Sequence, residues 1–364
     1  MKISEITSVI EQTAPLHYQE SYDNSGLITG FGNDEASAVM VCLDVTEEVI
    51  DEALSLGCNL VISHHPPVFR ELKKFSGNTL TEKIIRKAIK NDIALYAAHT
   101  NLDNSLNGVN RIICEKLGIE NPVILQPVQG SLKKLVTFVP TAQADQVRSA
   151  IFEAGAGVIG NYDCCSYNLE GKGSFRAHTG ASPFVGSIGQ FHLEEEIRIE
   201  TILPVHMQNQ VVSAMLKAHP YEEVAYDIYP LDNRNPGFGS GMIGNLKEPS
   251  GLMEYLQQIK TVFNASVIRY SPSHRTHVQK IAVCGGSGGF LLKTAIAAGA
   301  DLFITGETSY HTFMETGGNT VLADAGHFET EQFTIELIKR IIKENFPTFA
   351  VEISKSGINP VKYL

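Results

Sequence analysis

The sequence predicts an α/β protein in which two related α/β halves form one domain, interrupted by an inserted α+β module of ferredoxin-like βαββαβ order. Three observations predict this. A strand–helix–strand pattern occurs twice in gap-free register, the chain between the copies changes texture, and several strand-like runs end in histidines and carboxylates. The expected boundaries are 1–128 and 235–364 for the discontinuous domain and 129–234 for the insert.

In the first copy, Ala38 to Leu43 reads as a buried strand. Val45 to Leu56 follows with helical spacing (Val49, Ala53, Leu56), Gly57 stops the helix, and Asn59 to Ile62 is the next strand. The second copy begins at Lys280, with the strand Ile281–Cys284, a Gly-rich turn, a helix through Ala297, Gly299, and the strand Asp301–Ile304. Cys42 matches Cys284, Gly57 matches Gly299, and His64-His65 falls opposite Gly306-Glu307. Ile93 to Ala98 corresponds in the same way to Thr320 to Ala325.

In the insert, Leu135–Pro140 and Ile197–Pro204 read as strands, each followed by a helix, through Val147 and Ile151 and through Val211 and Met215. Val224 to Tyr229 closes the set, giving the βαββαβ pattern. Gly171 to Gly189 and Asn235 to Gly241 read as loop and linker.

The chain has 364 residues, 43% hydrophobic and 19% charged, with a net charge of −11. That length favours two domains, and the acidic balance argues against unaided wrapping of nucleic acid. No apolar run approaches a membrane span, and the six cysteines lack Cys-x-x-Cys spacing. A reduced, cytoplasmic setting is the expectation, with no membrane partner.

The chemistry lies after the strands. His64 and His65 follow Asn59–Ile62; adjacent on extended backbone, their side chains diverge and can serve two ions. Asp103 follows the next strand and is the natural bridging carboxylate. His99, four residues before Asp103, could be a ligand, a group that orients a carboxylate or a proton shuttle, with an orienting or pocket-wall role the foremost reading. His327 and Glu331, spaced i, i+4 at the opening of a helix through Ile335, Ile338 and Ile342, share one face. Glu307 and His311 repeat that spacing and are candidate acid/base or supporting groups. Five or more convergent ligands exceed what one structural zinc takes, which points to a two-metal centre. Gly285 to Gly289 lacks the Walker lysine and reads as a tight turn, and His206 and His219 in the insert read as solvated.

Together, Tyr22-Asp23-Asn24-Ser25-Gly26-Leu27, Ser-His-His-Pro-Pro, His-Thr-Asn-Leu-Asp, Thr-Gly-Glu and Gly-His-Phe-Glu-Thr-Glu resemble the NIF three-like (YbgI/YqfO-type) family, often labelled GTP cyclohydrolase 1 type 2 homologues. Tyr22 departs from the tryptophan many members carry there, and the insert with His219-Pro220-Tyr221-Glu222-Glu223 is similar to the PII/CutA-like middle domain of longer members. The resemblance implies two divalent ions on His64, His65, Asp103, His327 and Glu331, and a toroidal homohexamer. Zinc is the foremost candidate, with manganese, iron or nickel compatible with the same ligands. Two readings follow. One is a metal-dependent hydrolase acting on a nucleotide, a phosphoester or a cyclic C–N bond. The other is a non-catalytic metal carrier, sensor or ring-shaped regulatory scaffold.

Overall fold

The computed structural model describes all 364 residues. The chain divides into two compact units, Met1–Pro127 with Pro236–Leu364, and Val128–Asn235.

The first unit holds two sheets with a shared motif. In one, Val39–Cys42, Leu60–Ser63 and Ala94–Ala97 run parallel as successive neighbours. Gly26–Thr29 lies antiparallel beyond the third of them. In the other, His277–Cys284, Leu302–Thr305 and Val321–Asp324 repeat the parallel triplet, and Arg269–Tyr270 lies antiparallel beyond its third strand. The register repeats too: Cys42 pairs with Ser63 as Cys284 pairs with Thr305. The sheets differ beyond the first strand of each triplet. Val351–Ile353 extends one in parallel, whereas Gly239–Gly251 and then Ile119–Pro127 extend the other antiparallel. Gly239 pairs with Pro127, so the chain leaves and re-enters this unit at neighbouring strand ends, a geometry that tolerates an insertion.

The strands read as unbroken apolar runs because both faces are buried. Val39, Val41, Leu60 and Ile62 enter a central core with Val283, Ile304 and Ala323 of the second sheet. Helices Ile3–Thr13, Val109–Leu117, Leu252–Val262 and Thr334–Asn345 contribute to the same core. The alternate residues Met40, Val61 and Leu95 pack instead with Val49, Ile50 and Ile85 of the outer helices. Ala282, Phe303 and Leu322 do the same on the far side of the second sheet. Side chains are therefore spent on packing along each strand, and the polar groups collect where the strands end.

Local signals place the outer helices. Thr46 Oγ1 accepts a hydrogen bond from Val49 N at 3.3 Å to cap helix Glu47–Ser55, and Gly57 at φ +71° stops it in the left-handed region. The expected single helix from His327 is two, His327–Glu331 and Thr334–Asn345, with a turn between them. No helix is long and apolar enough to cross a membrane.

The second unit runs strand, helix, two strands, helix, strand. Its antiparallel sheet has the spatial order Ser166–Arg176, Phe191–Pro204, Leu132–Pro140, Tyr226–Leu231. Helices Ala144–Glu153 and Gln208–Ala218 pack Val147, Ile151, Val211 and Met215 onto Leu135, Val139, Ile199 and Leu203. Two expectations are corrected. The glycine-rich stretch from Gly171 is not loop at its start, because the edge strand runs on to Arg176. His219 is not solvated: it is 7% exposed, its Nε2 donates to Phe138 O at 3.0 Å and its Nδ1 accepts from Tyr221 N at 3.1 Å. Burial pulls its pKa down, which keeps that neutral tautomer in place.

Candidate metal centre

The two parallel triplets bring their strand ends to one place. His64 and His65 directly follow Ser63, with His64 N donating to Cys42 O at 3.2 Å and His65 N to Leu43 O at 2.9 Å. Asp103 ends the short helix Thr100–Asp103 after the third strand. His327 and Glu331 begin and end the five-residue helix His327–Glu331 after the last parallel strand of the second sheet.

Their ligand atoms form two groups. His65, His327 and Glu331 make one, and His64, Asp103 and Glu331 make the other, with the atoms of each group lying within 4.8 Å of one another. Glu331 Oε2 stands 3.0 Å from the Nε2 atoms of both His65 and His327. His64 Nε2 lies 3.6 Å from Asp103 Oδ1 and 3.8 Å from Glu331 Oε1. The carboxylate shared by both groups is therefore Glu331, not Asp103, to which sequence reasoning assigned the bridge. The divergence of His64 and His65 is partial: their ring centroids are 5.0 Å apart and tilted by 44°.

Each histidine is aimed by an oxygen behind it. His64 Nδ1 donates to Ala98 O at 2.8 Å, and a carbonyl only accepts, so the free lone pair of the neutral ring is on Nε2. That Nε2 is buried and has no hydrogen-bond partner. Asp44 Oδ1 lies 2.8 Å from His65 Nδ1, and Glu307 Oε2 lies 3.1 Å from His327 Nδ1. Histidine metal ligands are commonly oriented in this way by carboxylates and carbonyls. An orphaned buried nitrogen beside a shared carboxylate fits a divalent cation.

The electrostatics agree. Burial acts to raise the Glu331 pKa, but the hydrogen bonds from the surrounding histidines hold it well below the carboxylate range. Burial lowers the His65 pKa, yet Asp44 and Glu331 outweigh it and push the value up to about 10. Glu331 raises His327 to about 9 against the effect of burial. Without a metal, the cluster therefore retains protons that a cation must displace. Metal affinity should rise steeply with pH from about 6 to 9, with about one to two protons released per ion in calorimetry across buffers of different ionisation enthalpy. Affinity independent of pH over that range would contradict these assignments. The sign for stability is opposite. The folded pKa of His65 exceeds its unfolded value, so its contribution in metal-free protein is complete below about 6.5 and lost as pH rises through about 10.

The remaining candidates separate. His99 lines the cleft, its Nδ1 2.7 Å from Asp23 Oδ1, and it falls within one 4.8 Å group with His64 and His65. The Asp23 side chain is shut away from solvent, and hydrogen bonds from His99, Thr100 and Ser25 overcome burial to hold it well below the carboxylate range. Glu307 is exposed and supports His327 and Ser287, at 3.1 and 3.0 Å, from outside. His311 does not join the site. It is exposed on helix Tyr310–Met314 with its ring against Tyr310, because that helix turns its residues to solvent.

Sequence reasoning assigned no role to Asp23 and passed over Asp44 and Asn110. Asn110 Oδ1 accepts from Gly285 N and its Nδ2 donates to Asp103 O, both at 3.0 Å, joining the two halves behind the centre. In the Gly-rich turn, Gly286 N and Gly288 N are already engaged, donating to Thr330 Oγ1 and Thr305 Oγ1. Its glycines make room for the carboxylate instead: a Cβ on Gly286 would overlap Glu331 Oε1. The cleft in front of the centre encloses about 470 Å³, with Tyr22, Phe69 and Phe290 among its walls.

A duplicated α/β unit joined through a paired histidine–carboxylate centre defines the class of protein. The family model described as Duf34/NIF3 (NGG1p interacting factor 3) matches residues 1–360, and the chain belongs to that family. It is 44% identical to the GTP cyclohydrolase 1 type 2 homolog of Halalkalibacterium halodurans, covering 100% of both chains. It is 40% identical to the protein of that name in Bacillus subtilis, covering 99% of this chain and 98% of that one. A crystal structure of a Bacillus cereus protein related to NIF3 matches with a TM-score of 0.83 at 38% identity, over 100% of this chain and 99% of that chain.

Proposed function

We propose that the protein is a dinuclear metal-dependent hydrolase, with one divalent ion, zinc foremost, held by His65, His327 and Glu331 and a second by His64, Asp103 and Glu331. The observation that carries this reading is the buried, unpartnered His64 Nε2 beside a carboxylate common to both groups. When bound, such ions supply Lewis acidity, lower the pKa of water and neutralise charge on an attacked oxygen.

The protein's own groups do the rest. Asp44, Ala98 O and Glu307 hold the three ligand rings in orientation. Asp23 accepts a hydrogen bond from His99 Nδ1–H, leaving Nε2 to take a proton from water and return it to the leaving group. Tyr22, Phe69 and Phe290 supply apolar surface for a planar substrate. The cleft lining includes Glu20, Asp103 and Glu331 but no lysine or arginine.

A hydrolase screen on the metal-loaded full chain tests this. Turnover should be abolished by a chelator, and His99→Asn should lower kcat by about 10²-fold with metal content unchanged. Turnover that survives chelation contradicts the proposal, and no turnover on any ester, phosphoester or cyclic amide would favour a metal carrier or scaffold. The homohexamer expected from the family remains part of this reading. It is supported by Tyr226 and Tyr229, exposed on the edge strand Tyr226–Leu231, and a monomer in light scattering would remove it.

A further inference from the structure

The five-residue helix His327–Glu331 turns two ligands toward the centre, and a third acid on it faces the other way. Glu329 stands two residues from each ligand, roughly 200° around the helix from both. It is 6% exposed, and a Cβ on Gly326 would overlap its Oε2. Its Oε1 accepts a hydrogen bond from Asn359 Nδ2, a neutral donor, at 2.9 Å. A buried carboxylate held by a neutral amide is a costly way to add stability, so the contact calls for another explanation.

Asn359 lies on a segment that crosses from one half of this unit to the other. Val351–Ile353 is the outer strand beside Val39–Cys42, and Ser354 N continues that pairing onto Val41 O at 2.9 Å. The Glu52 carboxylate, on helix Glu47–Ser55, then accepts from Ser354 Oγ at 2.7 Å and from Lys355 N and Ser356 N at 3.0 Å each. Three residues further on, Asn359 reaches the ligand helix of the second triplet. Its own Oδ1 accepts from Val361 N at 2.9 Å, so both ends of the amide are fixed. Packing plays little part. Ile358 and Val361 are exposed, and the segment and the helix line a common cavity of about 280 Å³ rather than closing on each other.

We infer that Asn359 is a positioning residue for the metal centre. By holding Glu329 from behind, it sets the tilt of helix His327–Glu331, and with it where Glu331 stands against the histidines of the first half. The segment Ser354–Asn359 is then a strap that ties together the two halves whose ligands must meet. This rests on the metal-centre reading above. The centre needs such a strap because His65 and Glu331 follow strands of different sheets, and supporting hydrogen bonds that fix ligand geometry govern affinity. Asn359→Asp keeps the shape of the side chain, removes the donor and sets a second carboxylate against Glu329.

Cobalt(II) titration of the metal-free full chain, read by visible absorption and by competition with a chromophoric chelator, tests this. Asn359→Asp and Asn359→Ala should each weaken cobalt binding by about tenfold and change the visible spectrum, the usual consequence of releasing what orients a ligand. Ile358→Ser, exposed on the same segment, should leave both readouts unchanged. The double variant Asn359→Asp with Glu329→Gln rebuilds the hydrogen bond with donor and acceptor exchanged. It should recover the wild-type spectrum and most of the affinity, which a segment merely loosened by substitution would not do. Wild-type affinity and spectrum in both Asn359 variants, with His65→Ala impaired, would overturn the strap and leave the centre standing. Impaired single variants without recovery in the double variant would overturn the route through Glu329, and the proposal with it. Cobalt bound by His65→Ala as tightly as by the wild type would remove the centre and the strap together.

Discussion

Glu331→Ala should lose both ions, whereas Asp103→Ala should lose one. Glu331 is 3% exposed, and its two oxygens reach into both ligand groups, while Asp103 belongs to one. Two dications about 4 Å apart repel by roughly 16 kcal/mol at an effective dielectric near 20, so a shared carboxylate is what allows both to stay. Without Glu331, His65 and His327 also lose the group that keeps their Nε2 atoms, 3.4 Å apart, compatible with each other. Elemental analysis after dialysis reads the outcome directly. Two metals per chain in Glu331→Ala would refute the shared role, and two in Asp103→Ala would remove that residue from the ligand set.

The second large effect is expected from a residue with no side chain. Gly286 sits at φ +60°, and the Cβ of an alanine there would occupy the space of Glu331 Oε1. The left-handed conformation costs alanine about 1–2 kcal/mol. The carboxylate must also move from its place between the histidines. Gly286 O accepts from Gly306 N and Glu307 N, both at 2.9 Å, so the turn cannot shift without disturbing the neighbouring strand end. Gly286→Ala should therefore lower metal affinity by about 10- to 100-fold, the usual result of disturbing what orients a ligand. Gly289→Ala is the control, because a Cβ there meets Thr308 rather than the centre. Equal affinity in the two variants would show that the turn does not shape the site.

The duplicated halves were legible because buried parallel strands read as apolar runs, and a ligand residue after such a run stands out. His64, His65, Asp103, His327 and Glu331 all carry that signal, and the structure brings all five together. Which carboxylate is shared was not legible. It depends on how the helix His327–Glu331 meets the first triplet, a contact between residues more than 200 positions apart. Asp44 was missed because a lone aspartate after a strand looks like a turn former. Its position two residues after Cys42, level with His65, was the available clue. The Gly171 region misled because glycine density predicts loop, whereas here it keeps an edge strand open over a cavity. His219 misled because its polar neighbours suggested solvent, while backbone groups of Phe138 and Tyr221 satisfy both ring nitrogens.

The central claim is that one chain holds two ions through a shared carboxylate. Equilibrium dialysis of the metal-free full chain against zinc at about pH 8, followed by elemental analysis, tests it most directly, because the cluster has begun to release its protons there. Two ions per chain are predicted, falling to none in Glu331→Ala. One ion or fewer in the wild-type protein would contradict the account.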